Sequence, residues 1–466
     1  MKHGYSQAWV EAKTAETMEQ WSLCAATALP AGTKYTAKEH RAHEKAYDKG
    51  LRAVEREGRR AARTSALRLE TQRRIVALFP QFAAVALGLS GAENQLITGS
   101  FLPMGTELAR WSRRFDRTLS NAGILQACRN AWTCCGLQAL LGKPMELTPA
   151  VLAYSLLYPY SDNYLDHPGM SSGDKLDFSK RFRRRLLGAM EAPDNGHEAS
   201  VWSMVQLIED QHARLLYPQV YDCLLAIHRA QEDSIAQLKN GTKSAHESLE
   251  DGELLRISCA KGGTSVLADA CLVEPLLSPE AVQLSFQWGV LLQLGDDLQD
   301  VREDLRRGSI TLFTRAVAQG KSLDGLIGKL LNFSNQIADR MDRMRHGSSA
   351  LKSLLRMSWR SLILMAVADV QGYCSPAFLA DLEPSSSFRF KFLGERSEQL
   401  AEREAFYDVL FEAFLEGGAG ERSRLPMPRT VGVGSLRHAG RPTPAADKLV
   451  GMTGSLRSVR VLLSSD

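Results

Sequence analysis

Between Ser285 and Thr314 the chain reads SFQWGVLLQLGDDLQDVREDLRRGSITLFT, in which Asp296, Asp297, Asp300, Glu303 and Asp304 place five acids within nine positions. At about 100° per residue, Asp296, Asp300, Glu303 and Asp304 fall within roughly 100° of one another on a helix, so Gln293 leads into a stripe of carboxylates. Like charges one turn apart repel by roughly a few tenths of a kcal/mol in water and by more where water is excluded. Glu303 has Arg307 one turn on, but the i+4 neighbours of Asp296 and Asp300 are Asp300 and Asp304, and the helix leading to them is apolar enough to be core. A cation is the expected counterpart.

Asp162 and Asp166, in AYSLLYPYSDNYLDHPG, repeat the i, i+4 spacing at the end of a second apolar helix, which Pro168 and Gly169 stop. Carboxylate oxygens favour Mg2+, which keeps several waters and is completed by substrate phosphate. Two such clusters facing each other across a helical bundle would hold a diphosphate through bridging Mg2+ and stabilise the charge that develops as it departs. The remainder of the cavity would be apolar and suit a hydrocarbon chain.

The elements that must position these acids read as helices. From Ile75 to about Tyr373 apolar residues recur at three and four, as in Val151, Tyr154, Leu157 and Leu284, Trp288, Leu291, while alternating β-branched runs are scarce. Breaks are expected at Gly142–Pro149, His167–Asp174, Ala192–Gly196, Asn240–Gly252, Glu274–Pro279 and Pro384–Ser387. Residues 1–74 read as a charged helical extension, 75–416 as the main body, and 417–466, rich in Gly, Pro, Arg and Ser, as a disordered basic tail.

Composition excludes other classes. With 44% apolar and 24% charged residues, the chain buries a core and is neither fibrous nor wholly disordered. Its +4 charge is concentrated beyond Gly418, so the body is not a nucleic-acid binder by charge. Eight cysteines without a CxxC pair sit in apolar stretches and read as buried thiols in a reducing compartment. The opening MKHGYSQAWVEAKTAETMEQW lacks the apolar run of a secretory signal, and no stretch is long enough to span a bilayer, so a cytoplasmic location is expected. No P-loop, HExxH or GxSxG motif occurs.

Gln293-Leu-Gly-Asp296-Asp297-Leu-Gln-Asp300 resembles the QxxDDxxD second aspartate-rich motif of the class I isoprenoid synthases. Lys261, in AKGGTSVLADA, resembles the lysine that precedes that motif and contacts diphosphate, and Asp162 and Asp166 match the outer aspartates of the first motif. The resemblance covers roughly Ile75 to Tyr373. Asn163 replaces the second aspartate of the first motif, and the basic residues that bind isopentenyl diphosphate in chain-elongating members are missing at their usual places. The longer string from Asp296 to Asp304, followed by Gly308, is most similar to bacterial large-terpene synthases of the tetraprenyl-β-curcumene synthase type.

The resemblance implies an all-α protein, a large antiparallel helical bundle of the isoprenoid synthase type with a central apolar cavity. It implies a Mg2+-dependent terpene synthase that ionises a long prenyl diphosphate and releases pyrophosphate to give a hydrocarbon or alcohol. Asp162, Asp166, Asp296, Asp300 and Asp304 would be catalytic and hold metal together with Asp297. Arg256 and Lys261 would bind diphosphate, and Asn163, Gln293 and Glu303 would support the ligands. Alternatives are a trans-prenyl diphosphate synthase, with Arg110, Arg113 or Arg114 replacing the missing basic motif, a squalene- or phytoene-synthase-like head-to-head prenyltransferase, and a non-catalytic helical protein that binds metal or lipid. The prenyl diphosphate is the expected partner, with no nucleic acid; peripheral membrane contact and a homodimer stay open. Tyr154, Tyr158, Tyr160, Tyr164, Phe286 and Trp288 are expected as core more than as cavity lining.

Overall fold

The computed structural model describes residues 4–61, 65–84, 88–165, 170–237, 249–416 and 425–426, and among these every regular element is helical. In chain order the α-helices are α1 Gln7–Leu23, α2 Ala37–Ala61, α3 Ser65–Phe82, α4 Gly91–Leu96, α5 Leu102–Phe115, α6 Asn121–Leu140, α7 Pro149–Leu165, α8 Ser172–Leu186, α9 Gly196–Gln211 and α10 Pro218–Ser234. They continue with α11 Asp251–Val273, α12 Pro279–Gln299, α13 Val301–Arg307, α14 Leu312–Ala318, α15 Asp324–Asp342, α16 Ser349–Val370, α17 Pro376–Leu382, α18 Phe390–Glu402 and α19 Glu404–Glu416. The expected tail, 417–466, lies outside the described residues apart from 425–426.

Local chemistry sets the boundaries. Ser278 caps α12, its Oγ accepting from the Ala281 N–H at 3.2 Å, and Pro279 occupies the first helical position where no N–H is needed. Ser120 and Ser348 cap α6 and α16 in the same way. Gly308, at φ 75°, terminates α13 in the left-handed conformation that glycine adopts without strain. The turn-rich breaks around 142–149, 192–196, 274–279 and 384–387 all fall between helices.

At the centre of the bundle stands α11, against which α1, α6, α7, α10 and α12 pack. It is apolar nearly all round, as a helix enclosed by others must be. Trp111, Phe286, Phe313, Phe333 and Trp359 are fully buried in the surrounding core. All eight cysteines are free thiols, seven of them buried. Among the described residues, no helix is long and apolar enough to cross a membrane.

The charged N-terminal segment is tied to the body at two places. Trp21 of α1 is buried in the main core, edge-on to Phe333 with ring centres 5.9 Å apart. Glu44, Asp48 and Glu55 of α2 pair with Arg389, Arg396 and Arg403, at 2.5, 2.7 and 2.6 Å.

Candidate functional site

Glycine sets the geometry of the site. Helices α11 and α12 cross with backbones in contact: a Cβ on Gly289 would strike the Gly262 carbonyl, and one on Gly262 would strike the Gly289 carbonyl. One turn from the crossing on α11 lies Ser258, and two turns from it on α12 lies Asp297. The Ser258 hydroxyl donates to Asp297 Oδ2 at 2.7 Å, and the Gln293 amide donates to Oδ1 at 2.8 Å. Asp297 is buried, which pushes its carboxyl up to about 6; Ser258, Gln293 and Lys261 oppose that rise, and Asp296 adds to it. Its two oxygens are thus held by helix-to-helix and same-helix donors.

Helix α12 ends at Gln299, and Asp300 joins it to α13 without loss of register. The Asp300 N–H bonds the Asp296 carbonyl and the Asp304 N–H bonds the Asp300 carbonyl, each at 2.9 Å. Asp296, Asp300 and Asp304 therefore stay one above another on a single face, each half-buried. Burial, then the charges of Asp297 and Glu303, push the Asp304 carboxyl up to about 7, with Arg307 and Lys261 pulling it back. Glu303 turns inward, buried, and pairs with Arg307 at 2.5 Å.

Lys261 is half-buried and close enough to act on both Asp297 and Asp304. The other basic residue expected for diphosphate, Arg256, is not brought to the stripe. It projects from a different face of α11, bonds Glu253 at 2.8 and 2.9 Å, and lines a cavity of about 270 Å³ with Tyr5, Asp222 and Asp233 between α1 and α10. Of the arginines considered for chain elongation, Arg113 pairs with Glu412 and Arg110 bonds the Leu415 carbonyl at 3.1 Å, so both are engaged with α19.

Of the second acid pair, the structure places one member on α7. Asp162 and Asn163 fall in its last turn, described as backbone only, and Asp166 lies outside the described residues. Contacts along α7 fix its level against α11. At one end Ala150 N–H bonds Gln211, whose neighbour His212 bonds the Leu272 carbonyl at 3.0 Å; further on, Tyr154 donates to the Ser265 carbonyl at 3.0 Å. The helices are antiparallel. From Tyr154 to Asp162 the rise is about 12 Å, and from Ser265 back to Ser258 about 10 Å. Asp162 thus stands within about one turn of the level of Ser258 and of Asp297, its bonding partner. The two acid-bearing helix ends lie at the same end of the bundle, flanking the N-terminal half of α11.

The aromatic residues near these helices are packed. Tyr160 donates to Asp116 at 2.8 Å, Tyr164 stacks on His197 at 3.9 Å, and Trp288 meets Trp359 edge-on at 5.1 Å. Phe286 fills the notch left by Gly263, and the Tyr158 side chain lies outside the described residues.

Three stacked, half-buried carboxylates, with a fourth held behind them by neutral donors, concentrate acidic groups along one face of α12 and α13. Among the described residues no three His, Cys, Asp or Glu side chains converge on one metal-sized point; the α7 acids are not within that set. Two supporting features escape the motif reading: Ser258, an unremarked serine in an apolar run, and the Gly262–Gly289 contact, signalled only by glycines in two otherwise strong helices. No family model, curated protein or solved structure matches the chain.

Proposed function

We propose that the protein is a Mg2+-dependent terpene synthase of the class I isoprenoid type, ionising a long prenyl diphosphate in an apolar cavity between α6, α7, α11 and α12. The observation that carries this reading is that the last turn of α7, with Asp162, lies within about one turn of the level of Ser258 and Asp297, where the stripe that starts at Asp296 begins and where Lys261 acts on Asp297 and Asp304. Divalent metal bound there would neutralise the diphosphate and stabilise its departure.

The chain's own residues do the rest. Asp162 and Asp166 hold metal from one wall and Asp296, Asp300 and Asp304 from the other, while Lys261 takes the diphosphate charge directly. Gln293 and Ser258 keep Asp297 turned toward α11, which fixes the rotation of α12 and hence the direction of the stripe. The carbon–oxygen bond breaks with both electrons leaving on oxygen, and the resulting allylic cation then loses a proton or captures water. The engagement of Arg110 and Arg113 with α19 leaves those two arginines poorly placed to bind a second, isopentenyl substrate.

The test is incubation of purified protein with Mg2+ and prenyl diphosphates from geranyl to geranylfarnesyl and longer, with and without isopentenyl diphosphate. Pyrophosphate and a hydrocarbon or alcohol from one allylic substrate are expected. Elongated diphosphate formed only with isopentenyl diphosphate would move the assignment to a prenyl diphosphate synthase, and no pyrophosphate from any substrate would reject both. Asp162→Ala and Asp300→Ala should each lower turnover about 100-fold or more. Both variants should stay folded, since removing one acid from a crowded stripe relieves repulsion.

A further inference from the structure

Five helix connections, 141–148, 187–195, 212–217, 274–278 and 343–348, meet at one end of the bundle. The Arg214 guanidinium, between α9 and α10, donates to the Arg185 carbonyl at the end of α8 at 3.1 Å, and its stem lies where a Cβ on Gly188 would touch it. His212 bonds the Leu272 carbonyl in the last turn of α11 at 3.0 Å, and Lys143, just past α6, pairs with Glu274, just past α11. The His346 ring, between α15 and α16, lies against Gly142. From Leu272 back to Ser258, the partner of Asp297, the rise along α11 is about 21 Å. This end is therefore the one opposite the acid stripe.

Five of the nine large apolar side chains exposed among the described residues belong to these connections: Leu187, Met190, Leu215, Leu216 and Leu276. Met190 and Leu215 are 98% and 97% exposed, so each stands clear of its own surface. Single exposed apolar residues are ordinary, but a cluster rimmed by polar groups marks a contact. The rim is charged. Of its acids, Glu274 pairs with Lys143, Glu191 with Arg184, and Asp194 with Arg181 at 3.1 Å, while Arg214 is held by Glu209. That leaves Glu146 against the exposed Arg343 and Arg345, a positive balance.

We propose that this end of the bundle docks on the surface of an anionic lipid bilayer. The five apolar side chains enter the boundary between headgroups and acyl chains, and Arg343 and Arg345 meet headgroup phosphates. A bilayer accepts side chains that protrude from loop tips without a matching socket, whereas a protein partner must supply a closely shaped surface for each. The positive balance favours anionic over neutral lipid. Docked in this way, the chain carries the acid stripe on the side away from the bilayer. The inference stands independently of the isoprenoid-synthase reading.

The test is cosedimentation of the full chain with vesicles of phosphatidylcholine alone and of phosphatidylcholine with one-third phosphatidylglycerol. Wild type should bind the mixed vesicles more tightly. Met190→Ser with Leu215→Ser should weaken binding to both kinds about tenfold or more, because the apolar contact is common to them. Arg343→Gln with Arg345→Gln should weaken binding to the mixed vesicles roughly tenfold or more and leave binding to phosphatidylcholine unchanged. All four side chains are exposed, so both double variants should melt as wild type does. No binding of wild type to the mixed vesicles would overturn the proposal. Binding that survives both double substitutions would overturn it as well, by placing the membrane contact elsewhere in the chain. Concentration-dependent dimers in size exclusion that Met190→Ser with Leu215→Ser dissociates, in a chain that binds no vesicles, would overturn it in favour of a second copy.

Discussion

At the residue scale, three carboxyls stand out because the fold makes their charge expensive. Asp269, Asp297 and Asp304 are pushed up to about 7, 6 and 7, each first by burial. A carboxyl whose folded pKa is raised binds its proton more tightly in the folded chain than in the unfolded one. Its contribution is complete below about pH 4 and is lost as pH rises to about 7. Other carboxyls move the opposite way: burial raises Glu209, but Arg185 and Arg214 outweigh it and hold it below its usual range, so it titrates under the window that matters. Between pH 8 and pH 5 the melting temperature of metal-free protein therefore gains from these carboxyls and loses from His197, His212 and His228, which burial holds below the usual histidine range, so the carboxyl part of the slope is read by substitution. Each unit of raised pKa is worth about 1.4 kcal/mol, so in a chain of this length one effective unit moves the midpoint by about 1–2 °C. Asp304→Asn and Asp269→Asn should each flatten that slope, and Mg2+ with pyrophosphate should raise the midpoint at pH 8 in wild type; a slope unchanged by either substitution would remove the account. The acid stripe was legible because i, i+4 repulsion is written in the sequence itself. Asp269 was not, because its burial depends on which faces of α6 and α7 surround it, and Arg256 misled because its position near Lys261 in the chain hides the different face of α11 from which it projects.

At the element scale, the site depends on how closely α11 and α12 approach. Gly289→Ala places a methyl group against the Gly262 carbonyl, where no flexible side chain can give way, so the helices must part. The expected cost is about 3 kcal/mol or more, with loss of the Ser258–Asp297 bond and of turnover. Gly252→Ala provides the contrast: this glycine stands in the first turn of α11 with open space where its Cβ would go, and the change should stabilise by about 0.4–1 kcal/mol. Thermal melts of the two variants decide the point, since equal effects would mean that the crossing is not tightly packed. Helical periodicity and turn residues were enough to place most breaks, as at 142–149 and 274–279. They did not show the one-residue joint at Asp300, where the acids continue in register across a helix end, because that joint changes neither the apolar pattern nor the charge spacing.

At the scale of the whole molecule, the segment before residue 75 is bound into the body through unlike contacts at its two ends. Asn332 of α15 donates to the Ala25 and Ala28 carbonyls at 3.0 and 2.7 Å, and Gly328 leaves room for the Ala26 backbone beside Trp21. Further along, three acids of α2 meet Arg389, Arg396 and Arg403, spaced by seven residues, so that one face of α18 and its C-terminal flank faces α2 along its length. Charge patterning in the sequence marks α2 as an exposed helix; three of its five acids in fact pair with arginines that lie more than three hundred residues away. The aromatic contact and the charge ladder should differ in their response to salt. Trp21→Ala removes a buried indole and should cost about 3–5 kcal/mol at any ionic strength. Arg396→Ala, which breaks a partly buried bidentate pair, should cost about 1 kcal/mol at low salt and less at high salt. A fragment of residues 75–416 loses both ties and exposes the Trp21 side of α15, so it should fail to melt cooperatively; a fragment melting like the full chain would show that the N-terminal helices are dispensable to the bundle.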